Sequence, residues 1–207
     1  MIPHILEKRQ QKSEDSRPFS NLISQTNTEK LHLLNSVFDL TQNYAASDVD
    51  KSITQEKCIA IRTHNVMDIT TASFEMNAVA NKNTRCEDPA FYFVLSWPEH
   101  ECPDADSIFD AAEHAIKALG LSERQYVIVI QGHTENIHCL VTVNRIHPET
   151  YKSHHIEWSK KTLHLAARES EIKHGWTHDT GIYIVEHDIN GLKHIVLNPK
   201  HTKRREP

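Results

Sequence analysis

The 207-residue sequence lacks several features that would assign it to a common class of protein. It has only five glycines and no glycine-rich loop of the kind that holds nucleotide phosphates. No apolar run approaches the roughly 18 residues of a membrane-spanning helix, and the N-terminal segment lacks the apolar core of a signal peptide. The four cysteines show no CxxC spacing. We therefore expect reduced thiols in a cytoplasmic protein that does not contact a membrane.

A basic excess is also absent, because the formal net charge is −5 with histidine neutral. Nucleic-acid-binding proteins usually carry a basic excess or a basic patch, so any such affinity here must come from a local patch. The apolar fraction of 38% and charged fraction of 25% suit one soluble domain. We predict an N-terminal arm over residues 1–18, a folded domain over 19–198 and a basic disordered tail over 199–207.

Hydrophobic periodicity predicts an α+β domain. Apolar runs predict strands over residues 57–63, 91–97, 126–130 and 137–143. Helical spacing predicts helices over residues 29–45, 69–82, 105–119 and 156–174. Asn190-Gly191 lies between apolar runs at 181–186 and 192–197, which predicts a C-terminal β-hairpin. Residues 1–18 are interpreted as a mobile arm or as one short strand.

Three local features complete this prediction. Thr70 or Thr71 is expected to cap the helix over 69–82, and Asp104 the helix over 105–119. Trp158 is expected on the buried side of the last helix. Each of these features follows from the residue type and its position in the helical repeat.

The most informative stretch is YVIVIQGHTENIHCLVTVNRIHPET, residues 126–150. It predicts two adjacent antiparallel strands joined by a polar turn over residues 132–136. His138 falls on the second strand, with Leu140 and Thr142 on its face and Cys139 on the opposite face.

This stretch resembles the metal-binding motif of conjugative relaxases, the mobilisation nucleases of the HUH type, in a MOBP-like branch. Glu135 replaces an aspartate of that motif, and ASFEMNAVA, VLSWPE and KHGW extend the similarity. The positions that match the motif are Thr134, Asn136, His138, Val143, Asn144, Arg145, His147, Pro148, Glu149 and Thr150. The resemblance implies a single domain with an antiparallel sheet of about five strands and helices packed on it.

The resemblance also implies a chemistry. In such relaxases a tyrosine attacks a phosphate of single-stranded DNA at an origin of transfer and keeps the 5′ end as a phosphotyrosine. Histidines hold a divalent cation, manganese or magnesium, that polarises the phosphate. Relaxosome accessory proteins and a secretion channel are the partners that the family implies.

Four positions depart from the family pattern in this chain. Gln25 occupies the position of the nucleophilic tyrosine, and Tyr92 replaces a histidine that is usual on the active face. Gln131 and Leu140 replace two of the three metal ligands, so that only His138 remains. We therefore expect a catalytically inactive relaxase domain with no cofactor, in which a neighbour or water satisfies His138.

The expected ligand is single-stranded DNA, origin-of-transfer DNA or a relaxosome partner. Candidate DNA contacts are Arg85, Tyr92, Asn144, Arg145 and Lys152.

Two alternatives remain open. A rebuilt site would use Tyr44 as nucleophile and His138 as metal ligand, with Gln131, His133, Glu135 or Cys139 completing the coordination of manganese or magnesium. The other alternative is a protein-interaction module without DNA binding that pairs with an active relaxase. The acidic net charge favours this second alternative mildly.

Overall fold

The structure is a computed structural model that describes residues 1–5, 57–132 and 137–202. The strands are β1 (Ile2–Ile5), β2 (Lys57–His64), β3 (Ala90–Ser96), β4 (Tyr126–Gly132), β5 (Ile137–Asn144), β6 (Tyr183–His187) and β7 (Lys193–Leu197). The helices are α1 (Ile69–Ala80), α2 (Ala105–Ala118), α3 (Ser159–His174) and α4 (Pro199–Thr202). The helix predicted over 29–45 lies outside the described residues.

The described strands form a five-stranded antiparallel sheet in the order β1-β3-β5-β4-β2 and a separate two-stranded sheet, β6-β7. β4 and β5 are adjacent and central, as the sequence predicted. The α+β fold class, the sheet of about five strands and the C-terminal hairpin are therefore confirmed.

One face of the sheet carries the main core. Alternate side chains of β3, β4 and β5, among them Phe93, Ile128 and Val141, pack with the apolar faces of α2 and α3. Asp104 caps α2 as predicted, since its carboxylate accepts a hydrogen bond of 3.0 Å from the Ser107 N–H.

The opposite face carries α1, whose Ala72 and Met76 pack against Val127 and Val129. The predicted cap of this helix was wrong. Asp68 is the N-cap, and its carboxylate accepts a hydrogen bond of 2.8 Å from the Thr70 N–H. The helix begins at Ile69, so Thr70 and Thr71 lie in its first turn and the residue before Ile69 supplies the cap.

The two ends of the chain differ from expectation in part. Of the two alternatives for residues 1–18, a short strand is found for Ile2–Ile5, which pairs with β3. The segment expected to be a disordered tail begins with one helical turn, Pro199–Thr202. Asn198, just before this turn, accepts a hydrogen bond of 3.0 Å from the Lys200 N–H. That side chain caps the turn and stabilises it. The proposed domain boundaries remain a prediction.

The predicted burial of Trp158 was also wrong. α3 begins at Ser159, and Trp158 adopts a left-handed backbone conformation with φ of 52° and is 68% exposed. A residue in this conformation leaves the helical repeat, so the periodicity that placed Trp158 on the buried side does not apply to it. Within the described part of the chain, no helix is long and apolar enough to cross a membrane.

A buried asparagine joins the sheet to α1. Asn144 is 0% exposed, and its side-chain amide donates hydrogen bonds of 3.0 Å to the Met76 carbonyl and to Gln125 Oε1. Its side-chain oxygen accepts a bond of 3.0 Å from the Ile146 N–H. This one side chain therefore satisfies groups in α1, in the residue before β4 and in the chain after β5.

We expect Asn144→Ala to lower the free energy of unfolding by about 2–4 kcal/mol, because buried donors and acceptors lose their partners. Urea denaturation followed by circular dichroism measures the change. Asn77→Ala is the control, since Asn77 donates only within α1, to the Ser73 carbonyl. Its expected effect is within about 0.5 kcal/mol. Equal effects of the two substitutions would contradict the joining role of Asn144.

Candidate functional site

Four side chains form a row across one end of the face that carries α1. Gln131 of β4 stands opposite His138 of β5, Cys58 of β2 stands opposite Gln131, and Ser96 of β3 stands opposite His138. Directly opposed residues of antiparallel strands point to the same face. We call Cys58, Gln131, His138 and Ser96 the transverse row. It contains two of the three positions that correspond to metal ligands in the resemblance.

His138 is held by a neighbour on β3. Its Nδ1 atom lies 2.9 Å from the Ser96 hydroxyl, within hydrogen-bond distance. Ser96 is thus the neighbour that satisfies this histidine, as expected. Sequence reasoning missed Ser96, although it lies in the LSW segment that contributes to the resemblance. Its position on the face of His138 depends on the pairing register of β3 and β5.

Gln131 lies within the sheet, where it is 2% exposed. An amide oxygen is a weaker ligand for a transition-metal ion than the imidazole that the family places here. Gln131 therefore keeps a polar side chain in the row without supplying the imidazole of the family site.

The third ligand position is apolar. Leu140 lies opposite Val129 on β4 and Val94 on β3. A hydrocarbon side chain offers no lone pair, and a cation placed against three such side chains would lose hydration without compensation. One imidazole, one amide and one leucine do not fit a site that usually takes about three protein ligands. Among the described residues, no group of three His, Cys, Asp or Glu could hold a metal ion.

Cys139 lies on the opposite face from His138. It is 0% exposed within the main core, and burial raises the pKa of its thiol well above the ordinary value. A neutral thiol on the other face cannot complete a site at His138. The remaining residues of the rebuilt site, Tyr44, His133 and Glu135, lie outside the described residues, as does Gln25.

The candidate DNA contacts do not lie together with His138. Asn144 ends β5 six residues after His138, a distance of about 20 Å along a strand. Asn144 is fully occupied by the buried network described above. The Arg145 side chain donates bonds of 2.8 Å to the Asp88 carbonyl and 3.1 Å to the His154 carbonyl. Asn144 and Arg145, the first two residues of the NRIHPET motif, therefore hold loops in place at the far end of the sheet.

Of the other three candidates, one is buried and two are exposed. Tyr92 is 8% exposed and packs beneath α1, so it does not present its ring for stacking. Arg85 and Lys152 are exposed. Their two loops are joined by a bond of 2.9 Å from the Asn83 side-chain amide to the Tyr151 carbonyl.

A concavity of about 580 Å³ lies at this far end of the sheet, lined in part by His64, Glu123, His147 and Glu149. His147 Nδ1 accepts bonds from the Glu149 and Thr150 N–H groups, and its Nε2 lies 3.6 Å from a Glu123 carboxylate oxygen. Two carboxylates make this concavity a poor site for phosphate, because like charges repel.

The comparisons with known proteins identify the family. A family model for the MobA/VirD2-like relaxase nuclease domain matches residues 44–176, which is more than half of the chain. The chain belongs to this family. The transverse row and the NRIHPET motif both fall within the matched region.

Similar curated proteins cover parts of the same region. Protein MobA of Acidithiobacillus ferrooxidans is 30% identical over 124 residues, 58% of this chain and 30% of that protein. A protein TraI of Escherichia coli is 28% identical over 96 residues, 46% of this chain and 13% of that protein. The matches thus span less than a third of these relatives. No solved structure matches the relaxase domain described here.

The burial of Cys139 has a direct consequence for thiol chemistry. In a Cys58→Ser/Cys86→Ser/Cys102→Ser variant, we expect Cys139 to react with a thiol-specific dye only after unfolding, because only an accessible thiolate reacts. The natural protein should react at once at Cys102, which is exposed. Rapid labelling of Cys139 in the folded variant would contradict its burial and would restore it as a candidate ligand.

Proposed function

We propose that this relaxase nuclease domain belongs to a conjugation or mobilisation system and binds DNA without nicking it. The observation that carries the proposal is which side chains occupy the three positions that the resemblance matches to metal ligands. His138 remains in place, but its two companion positions are Gln131, buried in the sheet, and Leu140, packed between Val94 and Val129. The scaffold is kept while the groups that act on phosphate are replaced.

The replacements affect separate parts of the reaction. Gln25 stands where the resemblance places the nucleophile, and an amide cannot form the covalent link to phosphate. Gln131 and Leu140 affect the cation that would polarise the phosphate. Tyr92 removes a further histidine from this face. Loss of both the nucleophile and the cation site is consistent with a domain that no longer cleaves.

Binding of DNA does not require either group. Single-stranded DNA is held by basic side chains that pair with phosphates and by aromatic rings that stack on bases. We propose single-stranded DNA, including the single strand of an origin of transfer, as the ligand. Relaxosome accessory proteins or an active relaxase are the proposed protein partners.

The rebuilt active site has less support from the geometry. It needs ligands near His138, and Cys139 lies on the other face of the sheet. The apolar group of Leu140, Val94 and Val129 occupies one side of the same position. A protein-interaction module without DNA binding agrees with the net charge of −5 and is a distinct outcome of the experiment below.

We expect the chain to bind a fluorescein-labelled origin-of-transfer single strand in fluorescence anisotropy, with affinity that falls as salt rises because phosphate contacts release counterions. We expect no covalent protein–DNA adduct on denaturing gels with manganese or magnesium present. An adduct that Tyr44→Phe abolishes would establish the rebuilt site instead. Co-purification with an active relaxase and no oligonucleotide binding at low salt would establish the protein-interaction module.

A metal-binding experiment tests the loss of the cation site directly. By isothermal titration calorimetry, we expect manganese and zinc to show no stoichiometric binding to the natural protein. Gln131→His/Leu140→His should bind, because three imidazoles then share one face. The single variants Gln131→His and Leu140→His are matched controls. Each has two of the three imidazoles and should bind at least about tenfold more weakly than the double variant. Tight binding by the natural protein would show that the site persists.

A further inference from the structure

The segment from Tyr151 to Lys161 connects the chain after β5 to the first turn of α3 and exposes large aromatic rings. Tyr151 is 42% exposed and Trp158 is 68% exposed. Neither ring belongs to the two apolar clusters of the described residues. We call residues 151–161 the connecting segment. Its two aromatic side chains do not contribute to the core that holds the fold together.

The same segment is basic, in contrast to the whole chain. Lys152, Lys160 and Lys161 are exposed, and Glu157 is its one carboxylate. The Lys161 ammonium lies 4.8 Å from the centre of the Trp158 ring, a cation–π distance. Arg85 adds an exposed cation on the neighbouring loop, which also carries the exposed carboxylates of Glu87 and Asp88. The connecting segment thus carries three exposed lysines and one carboxylate on a chain of net negative charge.

The backbone of the segment's first residues is fixed to the scaffold. The Tyr151 carbonyl accepts a bond of 2.9 Å from the Asn83 side-chain amide. The Lys152 carbonyl accepts bonds of 3.0 Å from the His147 N–H and 3.2 Å from Arg124 Nη1. His154 Nε2 lies 3.0 Å from the Leu119 carbonyl. These contacts fix the main chain, so the side chains of this part are presented on a rigid support.

Both aromatic residues adopt an unfavourable backbone conformation. Tyr151 has φ of 55° and Trp158 has φ of 52°, in the left-handed region that large side chains rarely occupy. Such strain persists where surrounding contacts impose it, and it concentrates at binding sites. Both rings also remain partly exposed, Tyr151 at 42% and Trp158 at 68%. The arrangement calls for a partner that uses exposed rings and positive charge together.

We propose that the connecting segment is a binding surface for single-stranded DNA. Tyr151 and Trp158 stack on bases, and Lys152, Lys160 and Lys161 pair with phosphates. Every base has a π-face, so stacking and phosphate contacts together hold a strand with little regard to its sequence. The proposal rests on the proposed DNA-binding function and assigns it to a surface separate from the transverse row.

An acidic protein surface would also pair with the lysines. Two exposed rings beside exposed lysines favour nucleic acid, because planar bases stack on aromatic rings while phosphates pair with the ammonium groups. The sequence predicts Tyr92 as the aromatic contact to DNA. The structure buries Tyr92 and exposes Tyr151 and Trp158 instead.

The test uses the whole chain and a fluorescein-labelled oligothymidylate in fluorescence anisotropy. Tyr151→Ala/Trp158→Ala should weaken binding at least tenfold, since stacking contributes about 1–3 kcal/mol per base. Lys152→Gln/Lys160→Gln/Lys161→Gln should reduce the salt dependence, the slope of log affinity against log salt, by about 2. Phe74→Ala is the matched control, because Phe74 is an aromatic residue on α1 that is 79% exposed. It should leave binding unchanged.

Tryptophan emission gives a second measurement that loss of folding would not mimic. Trp97 and Trp176 are 2% and 9% exposed, so Trp158 is the accessible member of the three tryptophans. Oligothymidylate should quench emission from the natural protein, and Trp158→Phe should remove this quenching while keeping most of the affinity. Circular dichroism checks that each variant has the melting temperature of the natural protein.

The outcomes separate the two proposals. If the natural protein binds the oligonucleotide and the Tyr151→Ala/Trp158→Ala variant binds equally well, the surface assignment is overturned while the DNA-binding function stands. If the natural protein does not bind at low salt, the proposed function itself fails. Loss of binding in the double variant with an unchanged Phe74→Ala control supports the assignment.

Discussion

The side chain of Asn144 holds together the end of the sheet on which the rest of the domain depends. From the last residue of the central strand it bonds to α1, to the residue before β4 and to the chain that follows β5. A buried amide satisfies such varied partners because it carries both donors and an acceptor in one plane. Arg145 extends the same function to the Asp88 and His154 carbonyls. Asn144 and Arg145, which begin the NRIHPET motif, therefore have structural roles in this chain.

This division separates the residues that hold the fold from the positions that the resemblance links to chemistry. The structural end of β5 and the chemical end are about 20 Å apart along the strand. At a position where the resemblance places a ligand histidine, Leu140 puts an apolar side chain beside Val94 and Val129. Substitutions at one end of the strand thus leave the hydrogen bonds of the other end intact.

The sequence predicted the elements well where periodicity and local chemistry agree. The β4–β5 pair, the Asp104 cap and the Asn-Gly hairpin all follow from short-range patterns. The prediction from sequence failed where tertiary contacts determine the conformation of a residue or its partner. Trp158 had the right spacing for a buried helix position, but its backbone is left-handed. The Ser96–His138 bond depends on the pairing register of β3 and β5. The separation of Asn144 from His138, by contrast, follows from their six-residue spacing on one strand. A motif match groups residues by their order in the sequence and does not say which end of the strand each one occupies.

The two edge strands of the described sheet share a property that limits how the domain meets other chains. β1 has four residues and includes Pro3, which lacks the N–H that a further strand would need. β2 carries an irregularity in its pairing with β4 between Cys58 and Ala60, which interrupts the regular spacing of backbone groups. Both edges are therefore poor templates for strand addition. This limits edge-to-edge pairing of the five-stranded sheet, whereas in the described part of the chain β6 and β7 each keep an outer edge in the two-stranded sheet.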